Sequence, residues 1–208
     1  MMKHKPRVAL LAVLVSATLL SACTPLLLTG AAVGGVMVAT DRRSSGAQLE
    51  DQSIELKAQS RVGQLGSQGH ISVVSYNRTA LITGQVPTEA ERVAVEQAVA
   101  GIENVRAVIN ELAVGANTSL TQRSSDTVIS SRIKASFIDA PDLQSNALKV
   151  TTEAGVVFLM GIVTEREAGR ATDLARSVDG VRKVVRVFEV VSEEALAKLL
   201  PQPAPPPK

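Results

Sequence analysis

The sequence predicts an α+β chain, in the broad α/β class, made of two αββαβ modules. Each module is a small three-stranded mixed sheet packed by two helices. Three observations lead there. A strand–turn–strand pattern with a late glycine occurs twice, in "ISVVSYNRTALITGQV" and "LKVTTEAGVVFLMGIV", placing Gly84 and Gly161 in matching positions. Each is followed by Thr-Glu-x-Glu and a segment of helical period. Each copy closes on a glycine and a valine-rich strand, "GIENVRAVINELAV" and "GVRKVVRVFEVV".

The chain opens on a leader, residues 1–22. Lys3, Lys5 and Arg7 make a positive start, and Val8 to Leu20 is an apolar run too short to span a bilayer comfortably. It ends at Leu20-Ser21-Ala22-Cys23, whose cysteine is the only one in 208 residues. The arrangement resembles the lipobox of bacterial lipoproteins. The resemblance implies diacylglycerol on the Cys23 sulfur, cleavage before Cys23 and an acyl group such as palmitate on the new amine. Thr24, rather than Asp, follows the cysteine. By the enterobacterial sorting pattern that implies the outer membrane, on its periplasmic face. The alternative is an ordinary secretory leader followed by a free cysteine.

Residues 23–49 read as the lipidated N-terminus and linker. Their apolar part, 24–40, carries Gly30, Gly34 and Gly35, which lower helix propensity. The first copy is placed at 50–114, a second linker at 115–123, the second copy at 124–191 and a proline-rich tail at 192–208. In copy two, Asp126 reads as the N-cap of a helix reaching about Ile138. Leu148, Val150 and Thr152 alternate as a strand, and Glu153-Ala154-Gly155 is a hairpin turn. Val156 to Ile162 suits a central strand. Thr164 to Glu167 forms a capping box, repeated at Thr88 to Glu91. Ala168, Ala171, Leu174, Ala175 and Val178 make the buried stripe of the next helix. Gly101 and Gly180 read as matching left-handed helix stops, which makes the second helix of copy two about two residues longer. Gly84 and Gly161 read as structural, at a bulge or a close backbone approach.

Composition narrows the function. The leader holds three of the basic residues and no acid, so its removal takes the net charge from +2 to −1. Aromatics make up 2%, without tryptophan. Neither favours nucleic acid, and no nucleic-acid partner is expected. Residues 50–114 carry five basic and eight acidic residues, whereas 120–191 carry ten and nine. Copy two, not copy one, can seek an anionic surface.

The late strand glycine, the Ala-rich helix and the element Gly180, Val181, Val184 resemble the BON domain, an αββαβ module of bacterial envelope proteins. Gly101, Ile102 and Val105 match the same element more loosely. The whole mature chain resembles the dual-BON outer-membrane lipoproteins, the division- and outer membrane stress-associated lipid-binding family. That resemblance implies binding of anionic phospholipid through the first helix of the second domain, localisation at the division site and support of envelope integrity. It maps lipid contact onto Val128, Ile133 and Ile138, with an aromatic in the family where this chain has Val128. A valine anchors less well at an interface than tryptophan does.

Read by helical period, Ile129, Ile133 and Phe137 share a core face, which turns Ile133 inward. Val128, Ala135 and Ile138 fall on another face, between Arg132 and Lys134. An apolar strip flanked by cations suits an anionic bilayer surface, each cation adding about 1 kcal/mol. The bland alternative is an ordinary amphipathic helix with a solvated cationic face.

No nucleophile–base pair or phosphate loop is found, so no catalytic residue, cofactor or metal ligand is assigned and an enzyme is not expected. His70 reads as a solvated turn residue beside a strand. Ser44-Ser45 and Ser124-Ser125 sit in linker-like stretches, and the acids Glu89, Glu91, Glu165 and Glu167 belong to helix N-termini. The tail from Pro201 reads as an extended polyproline end. The expected partner is an anionic phospholipid membrane. Outer-membrane assembly proteins or peptidoglycan are the alternative, and a passive envelope spacer is a third reading. Replacing Cys23 by Ala should abolish acyl incorporation by the chain and move it from the membrane to the soluble periplasmic fraction, read by labelled-palmitate incorporation and fractionation.

Overall fold

A computed structural model describes residues 41–199. The leader, Cys23, the apolar segment 24–40 and the proline-rich tail from Leu200 lie outside the described residues. The described residues fall within one compact unit. Their elements run α1 Ser45–Gln64, β1 His70–Tyr76, β2 Thr79–Val86, α2 Glu89–Ala100 and β3 Ala107–Val114. The second copy repeats them as α3 Leu120–Ile138, β4 Leu148–Glu153, β5 Val156–Val163, α4 Glu165–Arg176 and β6 Lys183–Val190. A short α5, Glu193–Leu199, follows and buries Leu196.

Each copy forms its own sheet, ordered β1-β2-β3 or β4-β5-β6. The first pair is antiparallel and the second parallel, with α2 or α4 in the crossover. The central strands alternate between two cores, as a period of two requires. Ala80, Ile82 and Val86 face the helices of copy one, and Val157 and Leu159 face those of copy two. The intervening residues meet between the sheets, where Leu81 joins Phe158, Met160, Ile162 and Tyr76. The sandwich therefore has four layers: helices, sheet, sheet, helices. Burying each of these side chains contributes about 1.5–3 kcal/mol. That interface alone rivals the whole stability of a small domain.

Both hairpins turn through two residues at positive φ, Asn77-Arg78 and Ala154-Gly155. A buried helix aspartate holds each turn. Asp51 accepts the Asn77 and Arg78 amides at 2.8 and 2.7 Å, and Asp126 accepts those of Ala154 and Gly155 at 2.8 Å. Asp126 is thus not an N-cap. The cap of α3 is Ser119, whose hydroxyl accepts the Gln122 amide, and Ser124-Ser125 lie inside the helix. Likewise α1 starts at Ser45, capped by Ser44, within the stretch expected to be linker.

The capping box at Thr164 and Glu167 is complete. At Thr88 only half of it forms, because Glu91 turns to the Ser67 hydroxyl at 2.5 Å. The expected pairing of Gly101 with Gly180 is corrected. Helices α2 and α4 are each 12 residues long. Gly101 is a C-cap at φ −77°, outside the left-handed region, and copy one uses Asn104 at φ 69° where copy two uses Gly180 at φ 92°. Asparagine tolerates that conformation, which hid the register in the sequence.

Residues 41–43 strap the two copies together. The Arg42 side chain is buried, donates to both Glu167 carboxylate oxygens at 2.7 and 2.8 Å, and reaches the Ile162 carbonyl at 2.7 Å. Arg43 pairs with Asp41 and Asp51 and stacks over the Tyr76 ring at 4.2 Å. The Tyr76 hydroxyl, pushed up to about 12 chiefly by burial, donates to the Ala147 carbonyl of copy two. Burial opposes ionisation of Glu167, but the Arg42 guanidinium and the Thr164 amide outweigh it and hold this carboxyl below its ordinary 4.5.

At Gly84, φ 121°, a Cβ would lie 1.9 Å from the His70 carbonyl oxygen, and at Gly161 one would lie 2.5 Å from that of Ala147. At Gly169, inside α4, nothing lies within 4 Å. Gly84→Ala should cost about 2 kcal/mol or more through strain and overpacking, whereas Gly169→Ala should gain up to about 1 kcal/mol, both read by chemical unfolding. Arg42→Ala should cost about 3 kcal/mol at neutral pH, the scale for stripping one partner from a buried pair. Because the Glu167 pKa is lowered by folding, its contribution is present above about 4.5 and lost as pH falls through the folded value. Glu167→Gln should therefore flatten the acid limb of the stability profile.

Candidate functional site

Helix α3 carries the candidate surface. Its inner face buries Ile129, Ile133 and Phe137 in the core of copy two. Ile133 is 0% exposed, which overturns its assignment as a lipid contact, since its side chain lies against the sheet. Val128 is 48% and Ile138 71% exposed, on the outer face. Leu120, at the N-terminal end of the helix, is 78% exposed and extends the same strip. The sequence reading missed it because it started the helix at Asp126.

Arg132 and Lys134 flank the strip, and among the described residues neither makes an ion pair. Most other cations are engaged: Arg78 with Glu50, Arg92 with Glu89, Arg106 with Glu189, Lys149 with Glu55, Arg170 with Asp142 and Arg186 with Glu165. Asp126, the one acid of α3, is buried and committed to the hairpin turn. The outer face of this helix therefore shows cations without carboxylates.

Four hydroxyl residues of the helix are already satisfied. Ser124, Thr127, Ser131 and Ser136 donate to the carbonyls four residues back, at 2.9–3.1 Å. A hydroxyl bonded within its own helix loses less when water is removed than a free one does. Val128, Ser131, Ala135 and Ile138 can thus meet an apolar phase at modest cost.

The equivalent helix α1 differs where it matters. It exposes Leu49 and Leu56, but beside Glu50 and Glu55. Its cations are drawn aside, Lys57 to Glu103 at 3.6 Å and Arg61 to the Ala98 carbonyl. Helices α1 and α3 lie in opposite outer layers, with the paired sheets between them.

The glycine positions belong to the scaffold, with Gly84, Gly161 and Gly180 each close-packed against a neighbour and Gly101 ending α2. His70 is the first residue of β1, its Nε2 4.0 Å from Glu153 Oε2. Among the described residues no group of three or more histidine, cysteine or acidic side chains could hold a metal ion, and no helix is long and apolar enough to cross a membrane.

The model of the BON domain matches residues 50–116 and 125–192. The chain is 36% identical over 183 residues to outer membrane lipoprotein DolP of Haemophilus influenzae, covering 86% of this chain and 94% of that protein. It is 34% identical over 154 residues to a 21 kDa hemolysin of Actinobacillus pleuropneumoniae, covering 73% and 79%. It is 32% identical over 117 residues to osmotically-inducible protein Y of Escherichia coli, covering 55% and 58%.

Proposed function

The chain belongs to the BON-domain family, with two such domains, and from that premise we propose that it is a non-enzymatic outer-membrane lipoprotein that binds anionic phospholipid through α3. Cys23 anchors it at the periplasmic face, and α3 lies along the bilayer surface. The observation that carries the reading is one face of α3, where Val128 and Ile138 stand exposed between Arg132 and Lys134, two cations without an ion-pair partner among the described residues. Two cations contribute about 2 kcal/mol at an anionic surface, too little for stable attachment alone. The lipid anchor raises the effective concentration and makes so weak a reader sufficient. The name of the Haemophilus influenzae relative, an outer membrane lipoprotein, supports the location. The family resemblance extends the role to envelope integrity and to the division site.

Flotation of residues 40–208 with vesicles tests this. Binding to vesicles rich in phosphatidylglycerol should exceed binding to neutral phosphatidylcholine vesicles and should weaken with salt. A folded Val128→Glu, Ile138→Glu variant should bind at least roughly tenfold less, since it removes two apolar contacts and adds two repelled charges. Equal binding to neutral vesicles, or no loss in the variant, would exclude α3 as the reader. Absence of all vesicle binding would shift the function to protein contact, for which the groove between α1 and β1, about 660 Å³ beside exposed Leu56, is the available surface.

A further inference from the structure

The interface between the sheets is apolar at one end and polar at the other. At the polar end it opens into a cleft of about 320 Å³ that both copies line. The register explains its layering. Ser72 pairs with Thr83 across β1 and β2, and His70 pairs with Gln85 one step nearer the rim. From the opposite sheet come Thr151 and, at the rim, Glu153, while α3 supplies Lys134 and Arg123.

Most of the groups left free in this cleft can donate. Thr83 is buried, and its hydroxyl has no hydrogen-bond partner among the described residues. The Ser72 and Thr151 hydroxyls likewise make no hydrogen bond there. Lys134 has no ion pair, and Arg123 makes only a 3.4 Å contact with the Thr118 hydroxyl. Of the two acids, Asp126 is committed to the hairpin turn and Glu153 is engaged through Oε1, its Oε2 lying 4.0 Å from His70 Nε2. Asp126 accepts from Gln122, Ala154 and Gly155, and Glu153 accepts from Gln85 at 2.7 Å and Thr118 at 3.3 Å, with His70 beside it. A buried hydroxyl without a partner costs about 1–3 kcal/mol, which a ligand oxygen would recover. Three hydroxyls and two cations without strong partners, against one carboxylate oxygen left at the rim, make a site that favours an acceptor-rich anion.

We propose that this cleft binds a phosphate oxyanion, held by the Ser72, Thr83 and Thr151 hydroxyls with Lys134 alongside and Arg123 at the rim. The phosphate is either free or carried by a lipid headgroup; the chemistry of recognition is the same. Because Ser72 and Thr83 belong to copy one and the others to copy two, the bound anion bridges the domains and stabilises their assembly. The cleft opens on the flank of α3 and shares Lys134 with the strip that the lipid reading uses, while Ser72, Thr83 and Thr151 belong to the cleft alone, so those amides report it separately.

Amide chemical shifts of isotopically labelled residues 40–208, the compact unit, test the proposal. Titration with inorganic phosphate and with glycerol 3-phosphate, against chloride at equal ionic strength, should move the Ser72, Thr83 and Thr151 amides saturably. Thr83→Val and, separately, Arg123→Gln should each weaken that response roughly tenfold, the scale for a hydrogen bond to a charged group. Arg123 is partly exposed, so its variant folds even if Thr83→Val does not. Bicelles containing phosphatidylglycerol provide the other arm. Movement of the seam amides by bicelles identifies a headgroup; movement of the α3 amides alone identifies free phosphate. Seam amides that ignore both phosphates, or respond equally in both variants, overturn the site whatever α3 does. An α3 that ignores bicelles while the seam responds overturns only the lipid reading.

Discussion

The contact between the two sheets governs the rest of the structure. A three-stranded sheet with two helices covers one of its faces and leaves the other apolar and bare. Here the bare faces cover each other through Tyr76, Leu81, Phe158, Met160 and Ile162. Domains of this size are marginal alone, and neither copy buries its central strand without its partner. The contact also sets what the outside looks like. With the sheets occupied by one another, the helices are the outer layers, and α1 and α3 look in opposite directions.

That division lets one scaffold carry two surfaces. The repeated parts are those that make the fold: the aspartate on the first helix that holds the hairpin turn, the threonine cap, and the late strand glycine pressed against a neighbouring carbonyl. The parts that differ face outward. Copy one keeps acids beside its exposed leucines; copy two keeps them off the outer face of α3, where Arg132 and Lys134 make no ion pair among the described residues. The charge difference between the copies is therefore a difference in what each outer layer can lie against.

The strap at residues 41–43 joins the two copies at the start of the described chain. Arg42 is engaged by the first turn of α4 and the end of β5, and Arg43 by α1 and the Tyr76 ring. Glu167 is shared between capping its own helix and holding Arg42. A residue with an obvious local role thus has a second, long-range one, and the pattern of a capping box gives no sign of it.

The sequence by itself determined the repeat, the αββαβ order, the capping threonines and the two faces of α3, because these rest on period and local hydrogen bonding within a few residues. It misplaced the start of α3 because Asp126 is as good a cap as Ser119 in sequence, and only the distant hairpin amides decide which role it takes. It misaligned Gly101 with Gly180 because Asn104 adopts the left-handed conformation without a glycine. Ile133 entered the candidate site through resemblance, while helical period already turned it inward and the packing buried it. Only the tertiary structure decided that the sheets pack face to face, that Arg42 is buried against Glu167, and that Ser72, Thr83 and Thr151 share one cleft. Each of these joins residues many tens of positions apart, and no local pattern encodes which buried strand face meets which.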